Sequence, residues 1–320
     1  MAIMITGGAG FIGSCLAKLL IDEGEKPVLF DIAPVQGPLT ELDGRFIFER
    51  GSLAHLPVVM DCVERHAIDR IFHLGGMLSL PSEQNPWGAF DANVVGTYNI
   101  LEAARIKKMR QVVYGSTIAT YSKDIQGGTI DDRTIQRPSS FYGITKTFGE
   151  LTGRWYHRRF GLDFRGVRLP SIVGPGAKTA HMSIYNAWAI EYSIKGLPYT
   201  LNCDPETRCP ALYYKDAAMA LKGLASADPS RIRTRVYNIA GITPPFSASE
   251  LVKVIGKRIP EAQLSFNPDP VVVELLRELG ALKISDECAR QEWGWQLAYP
   301  LEAMVDDFIG EFEKHKSYFF

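Results

Sequence analysis

The stretch Thr6-Gly7-Gly8-Ala9-Gly10-Phe11-Ile12-Gly13 decides how the rest of the chain is read. Before it runs Ala2-Ile3-Met4-Ile5, a short apolar segment suited to a strand buried on both faces. After it, Phe11, Ile12, Cys15, Leu16, Leu19 and Leu20 recur at helical spacing. Glycines placed between such a strand and helix have a chemical use. Gly7 permits the tight turn, Gly10 lets the backbone approach a pyrophosphate, and Gly13 lets the helix lie close to the sheet. The amides that open the helix, at Phe11 and Ile12, then face the phosphates together with the positive helix end. A glycine-rich turn is also a common purely structural turn, so context has to decide. Asp31 ends the next strand candidate, 18 residues beyond Gly13, where an acid meets the adenosine ribose hydroxyls. An acid there repels a 2′-phosphate and favours NAD over NADP. The alternative reading of Asp31 is a solvated strand-end acid.

Working outward, residues 28–30, 45–49, 70–73, 111–114, 164–169 and 236–240 are further strand candidates. Helix patterns lie between them. Residues 87–106 carry Trp87, Phe90, Val94, Tyr98 and Leu101 on one stripe, and residues 142–160 carry Ile144, Phe148, Leu151 and Trp155. Residues 56–66 and 300–314 also read as helices. The alternation predicts an α/β chain: a Rossmann-type doubly wound parallel sheet with a smaller, interleaved C-terminal substrate domain. Residues 1–169 are expected to form the NAD-binding part, with a segment at about 207–241 returning to it. Residues 170–206 and 242–320, where proline and glycine become frequent, are expected to form the substrate-binding part.

Composition narrows the partners. Among 320 residues, 35 basic side chains stand against 36 acidic ones, which excludes a generally basic nucleic-acid binder. No apolar run is long enough to span a bilayer, and the five scattered cysteines read as reduced thiols. A cytoplasmic protein acting on a small molecule is expected, without nucleic acid, membrane or metal.

Tyr142-Gly143-Ile144-Thr145-Lys146 starts the 142–160 helix, and the four-residue spacing puts Tyr142 and Lys146 on one face. A phenol with its ordinary pKa of about 10 is a poor base at neutral pH. A nearby ammonium, joined by an oxidised nicotinamide, stabilises the phenolate and makes it able to take a proton from an alcohol. Ser116 and Thr117 end the preceding strand, where α/β sheets bind ligands; their bland role is turn capping. His73 reads as a packed histidine at a strand end, and Trp293 and Trp295 as packing residues.

These motifs, in this order, resemble the extended short-chain dehydrogenase/reductases, the NAD-dependent epimerase/dehydratase family. The resemblance rests on residues 6–13, His73-Leu74-Gly75-Gly76, Asn93-Val94-Val95-Gly96-Thr97, and Tyr142 with Lys146. It implies that Thr117, 25 residues before Tyr142, fills the catalytic hydroxyl position with Ser116 beside it. It also implies that Leu74, Gly75, Gly76, Asn93 and the backbone near Pro170 line the cofactor. Ser52-Leu53 stands where relatives carry an acid near adenine. The family commonly dimerises through helices matching 87–106 and 142–160, so a homodimer is expected.

Within the family the chain looks most like the short-chain-type L-threonine 3-dehydrogenase branch. The segments from Ser79 to Pro86, Thr207-Arg208-Cys209-Pro210 and Tyr237-Asn238-Ile239-Ala240-Gly241 carry that likeness. Ser171 stands where nucleotide-sugar enzymes place an asparagine. The branch's Gly-Thr-Thr-Asp-Tyr segment corresponds here to Lys178-Thr179-Ala180-His181-Met182. Its two added cations read either as a surface loop or as recognition of an anion. Arg208 reads either as a substrate-anion contact or as an ion pair. The expected activity is NAD-dependent oxidation of a small secondary alcohol, an L-threonine-like β-hydroxy amino acid or related hydroxy acid. Tyr142, Lys146, Thr117 and Ser116 are the expected catalytic set, with Ser79, Thr179, Lys178, His181 and Arg208 as substrate contacts. The alternatives are a nucleotide-sugar 4-epimerase with tightly held NAD, and a non-catalytic NAD-binding protein.

Overall fold

A strand too apolar to face water on either side belongs in the middle of a sheet, and the first strand is found there. The computed structural model describes residues 2–121, 125, 128–178, 182–280 and 282–319. The chain begins with β1 (Ala2–Thr6), α1 (Phe11–Asp22), β2 (Val28–Asp31), β3 (Ile47–Arg50), α2 (Leu56–Arg65) and β4 (Ile68–His73). A short α3 (Ser79–Gln84) leads into one helical rod: α4 (Pro86–Ala89), a π-helical stretch (Phe90–Val95) and α5 (Gly96–Ile106). Next come β5 (Gln111–Thr117), β6 (Thr129–Ile130), α6 (Phe141–Phe160), β7 (Asp163–Leu169) and β8 (Ser171–Val173). The chain continues through α7 (Tyr185–Ile194), β9 (Tyr199–Leu201), β10 (Ala211–Tyr213), α8 (Tyr214–Ser226) and β11 (Val236–Asn238). It closes with α9 (Ala248–Arg258), β12 (Leu264–Phe266), α10 (Pro270–Gly280), β13 (Lys283–Ile284), α11 (Glu287–Trp293) and α12 (Leu301–Lys314).

Seven of these strands form one parallel sheet in the order β11-β7-β5-β4-β1-β2-β3. The sequence order reverses between β1 and β4, the switch point where doubly wound sheets bind ligands. Successive strand residues point to opposite faces. Ile5, Phe72 and Val113 therefore join α1 and α8 in one core layer, while Met4, Ile71 and Val112 meet α2 and α5 in the other. A third cluster, with Ile190, Tyr213, Leu251 and Phe308, lies among the later elements. The strand read at 236–240 stops at Asn238, and that at 111–114 runs on to Thr117.

Helix α6 starts at Ser140, whose hydroxyl accepts from the Gly143 amide, and stops at Gly161 in the left-handed region. It lies against the sheet on its small residues: a Cβ on Gly149 would come within 2.4 Å of the Tyr114 hydroxyl, and one on Gly153 within 2.2 Å of the Phe164 ring. Its apolar stripe faces outward, with Ile144, Leu151 and Trp155 all exposed. Trp87, Phe90 and Tyr98 on the neighbouring rod are exposed too. Among the described residues, no helix is long and apolar enough to cross a membrane.

Candidate active site

Register brings the expected site residues to one edge. Thr6 lies opposite His73 and His73 opposite Tyr114, so the loops leaving β1, β4 and β5 emerge side by side. Gly7 takes φ +67° in the first of these loops, and Gly10 N donates to Gly7 O at 3.0 Å. A Cβ on Gly13 would lie 2.0 Å from Gly7 O, so only glycine lets α1 fold back onto the turn. The cap of α1 is Gly10, which brings no side-chain acceptor to the first-turn amides at Phe11, Ile12 and Gly13. Amides left to an outside anion, with Gly10 exposed beside them, are the donor set a pyrophosphate requires. The residues present thus fit NAD. Asp31 accepts from Ala9 N at 3.0 Å and Ala33 N at 3.1 Å, which fixes its carboxylate against the loop and leaves lone pairs for ribose hydroxyls.

A polar ladder links the neighbouring loop to the core. Gly75 N donates to Thr6 Oγ1 at 3.1 Å, Thr6 Oγ1 bonds His73 Nδ1 at 2.7 Å, and His73 Nε2 bonds Thr97 Oγ1 at 3.0 Å. Burial, with a smaller push from Lys146, lowers the His73 pKa to about 3, so this ring is a neutral strut. Leu74 N donates to Thr6 O, and a Cβ on Gly75 would press on Leu53. Asn93, in the π-helical stretch, accepts from Met77 N at 2.6 Å and donates to Met77 O at 3.0 Å and to Thr145 Oγ1 at 3.1 Å. It therefore ties the Gly75–Gly76 loop to α6. Ser52 accepts from Ala54 N within its own turn, and Pro170 is buried directly after β7.

The close seat of α6 carries Lys146 to β5, where its Nζ donates to Gly115 O at 2.8 Å and lies 5.8 Å from the Tyr142 ring centre. Glu83 accepts from the Phe141 amide at 2.7 Å and holds the helix start. Burial lowers the Lys146 pKa to about 8 against the opposing pull of Glu150. Burial also pushes the Tyr142 phenol up to about 12, and the lowering expected from Lys146 is not seen in the protein by itself. Thr117 Oγ1 accepts from Ala119 N at 3.2 Å and keeps its proton to donate elsewhere.

Ser116 requires a correction. Strand alternation turns it away from Thr117, and its hydroxyl donates to buried Glu150, which also takes a two-point contact from Arg168. Arg168 reaches Tyr121 at 2.8 Å and Asn238 at 3.1 Å as well. This buried network escaped the sequence reading, although Glu150 lies four residues past Lys146, the spacing that placed Lys146 beside Tyr142. Of the two readings of Arg208, the ion pair is the one seen: it donates to Pro245 O at 2.6 Å and pairs with Glu250 at 3.1 Å. Ser79 is exposed in the first turn of α3, and Lys178 is exposed. Thr179 and His181 lie outside the described residues.

Known proteins resemble the chain over almost its whole length. The chain is 30% identical over 312 residues to the mitochondrial L-threonine 3-dehydrogenase of Bos taurus, covering 96% of this chain and 81% of that protein. The holo form of a GalE-like L-threonine dehydrogenase from Cupriavidus necator superposes with a TM-score of 0.87 at 28% identity, over 97% of this chain and 99% of that one. A monomeric L-threonine 3-dehydrogenase from a metagenome, at 24% identity, shares the fold with a TM-score of 0.87 over 98% and 99% of the two chains. The profile of the NAD dependent epimerase/dehydratase family matches residues 3–240, and the chain belongs to that family.

Proposed function

We propose that the protein is an NAD-dependent dehydrogenase that oxidises the secondary alcohol of L-threonine or a closely similar 3-hydroxy amino acid. One observation carries the reading: Lys146 is drawn into the sheet edge at Gly115 O, one helical turn from Tyr142 and two residues from Thr117. A buried ammonium costs several kcal/mol to desolvate, so its place beside a phenol and a free hydroxyl needs a chemical return. The substrate hydroxyl accepts a hydrogen bond from Thr117 and gives its own proton to the Tyr142 phenolate, whose charge Lys146 holds. NAD, when bound, supplies the hydride acceptor and a positive ring that offsets the burial of the phenolate. Gly7, Gly10, Gly13 and Asp31 position it, with Leu74 and Gly75 along its path. Ser116 and Asn93 serve as positioning residues.

In the same reading residues 170–206 and 242–320 carry the substrate-binding part, with Ser79 and Lys178 at its rim. Ser171 favours a small substrate over a nucleotide sugar, because its hydroxyl is bonded to Ser183 at 2.6 Å where a diphosphate-holding amide would be needed. The outward stripes of α6 and the Trp87–Tyr98 rod are the surface proposed for a homodimer. Five free thiols suit a reducing compartment such as the cytoplasm. Purified protein incubated with NAD and a panel of 3-hydroxy amino acids and hydroxy acids is expected to form NADH, fastest with L-threonine or a near analogue. No NADH across the panel, together with interconversion of a UDP-sugar, overturns the reading.

A further inference from the structure

Beside the edge strand β11 lies a cavity of about 530 Å³, away from the glycine loop and from Tyr142. Arg133, Arg154, Arg231 and Arg233 line it, from three separate segments of chain. Two carboxylates share the wall, and both are already engaged. Asp132 accepts from Asn238 N and lies 3.6 Å from Arg168, while Glu292 takes donors from Arg233 N, Thr234 and Tyr237. Among the described residues, no carboxylate or carbonyl accepts from the guanidinium of Arg133, Arg154 or Arg233. Arg231 donates one bond, to Gln291 O at 3.0 Å. Arg154 sits two turns along α6 from Lys146, roughly 12 Å away along the axis. Burial first, and the neighbouring Arg168 second, hold its pKa below the ordinary arginine value.

Like charges gathered in a recess raise one another's cost unless an anion joins them. Guanidinium forks match the oxygens of a phosphoryl group two at a time, and three unpaired forks line this one opening, Arg133 and Arg233 exposed and Arg154 half-buried. The volume exceeds what a lone oxyanion fills and falls within the range of small-molecule sites. We propose that this cavity is a second ligand site, distinct from the dinucleotide site, which binds a phosphoryl group carried by a small metabolite through Arg133, Arg154 and Arg233. The Asp132–Arg168 contact joins its wall to the Glu150 network beneath the catalytic helix.

The test uses protein saturated with NAD, so that phosphate cannot report on the glycine loop. Calorimetric titration with inorganic phosphate in one arm and ribose 5-phosphate in the other is expected to show saturable binding. Tighter binding of ribose 5-phosphate supports a phosphorylated metabolite, and equal binding supports the phosphoryl group alone as the ligand. The double variant Arg154→Gln/Arg233→Gln is expected to bind at least roughly tenfold more weakly, with unchanged NAD affinity. Arg233 is exposed, so Arg233→Gln alone keeps the test alive should the double variant fail to fold; it is expected to weaken binding by roughly threefold. No saturable binding to the wild-type protein, or undiminished binding to the variants, overturns the proposal.

Discussion

The two faces of α6 invert the usual order of inside and outside. Inward, the helix presents Gly149, Gly153, Lys146 and Glu150, while outward it presents Ile144, Leu151 and Trp155. An apolar stripe normally marks the face that meets the core. Here the glycines let the helix approach the sheet, and the polar groups between them find partners on β5 and β7. The lesson is that a helix bearing the proposed catalytic pair can be seated by shape and paired charge, which frees its hydrophobic face for another surface.

The strongest way to break the inward face is at its chemistry. Tyr142→Phe and Lys146→Met are expected to lower kcat by about 10²–10⁴-fold, measured as NADH formation under saturating NAD. Thermal stability should hold, because Lys146→Met replaces a buried cation by an apolar chain of similar length. A large fall in melting temperature with modest loss of activity would instead make Lys146 a structural residue. Glu150→Gln leaves Arg168 buried without its anion and is expected to cost about 3–5 kcal/mol in urea unfolding. A change below about 1 kcal/mol would show that Asp132 and Asn238 suffice to hold Arg168.

His73 sharpens the same contrast through pH. Its folded pKa, lowered to about 3, lies below the unfolded value of 6.5, so the unfolded chain binds the extra proton between them. Its contribution is complete above about pH 6.5 and is lost as pH falls, at about 1.4 kcal/mol per pH unit. Unfolding at about pH 7 and about pH 5 should therefore show a steeper loss for the wild type than for His73→Gln. Equal slopes would place the proton elsewhere. The smallest effect on the fold is expected outward. Leu151→Asp should change monomer stability by less than about 0.5 kcal/mol, while light scattering is expected to show the proposed dimer reduced to monomers. An unchanged mass would remove that face from the assembly.

Much of this was legible in sequence where short local patterns dictate geometry. The run at residues 6–13 combines a two-sided strand, a turn and a helix start, so Gly7, Gly13 and Asp31 fell where expected. Glu150 was not legible, because a lysine and a glutamate four apart also describe an ordinary solvated helix face. Arg208 stayed open between two readings for the complementary reason: which anion a lone arginine meets depends on Glu250, 42 residues on, and only the fold brings the two together. The direction of the α6 stripe likewise depended on glycines whose close approach to Tyr114 and Phe164 is a tertiary fact.

The central claim is that Tyr142 and Lys146 serve oxidation of a secondary alcohol at its own carbon. L-Threonine deuterated at C3, supplied with NAD, tests it most directly. The account predicts NADH that carries the deuterium, with formation abolished in Tyr142→Phe. NADH free of deuterium, or label retained in threonine while a UDP-sugar is epimerised, would contradict it.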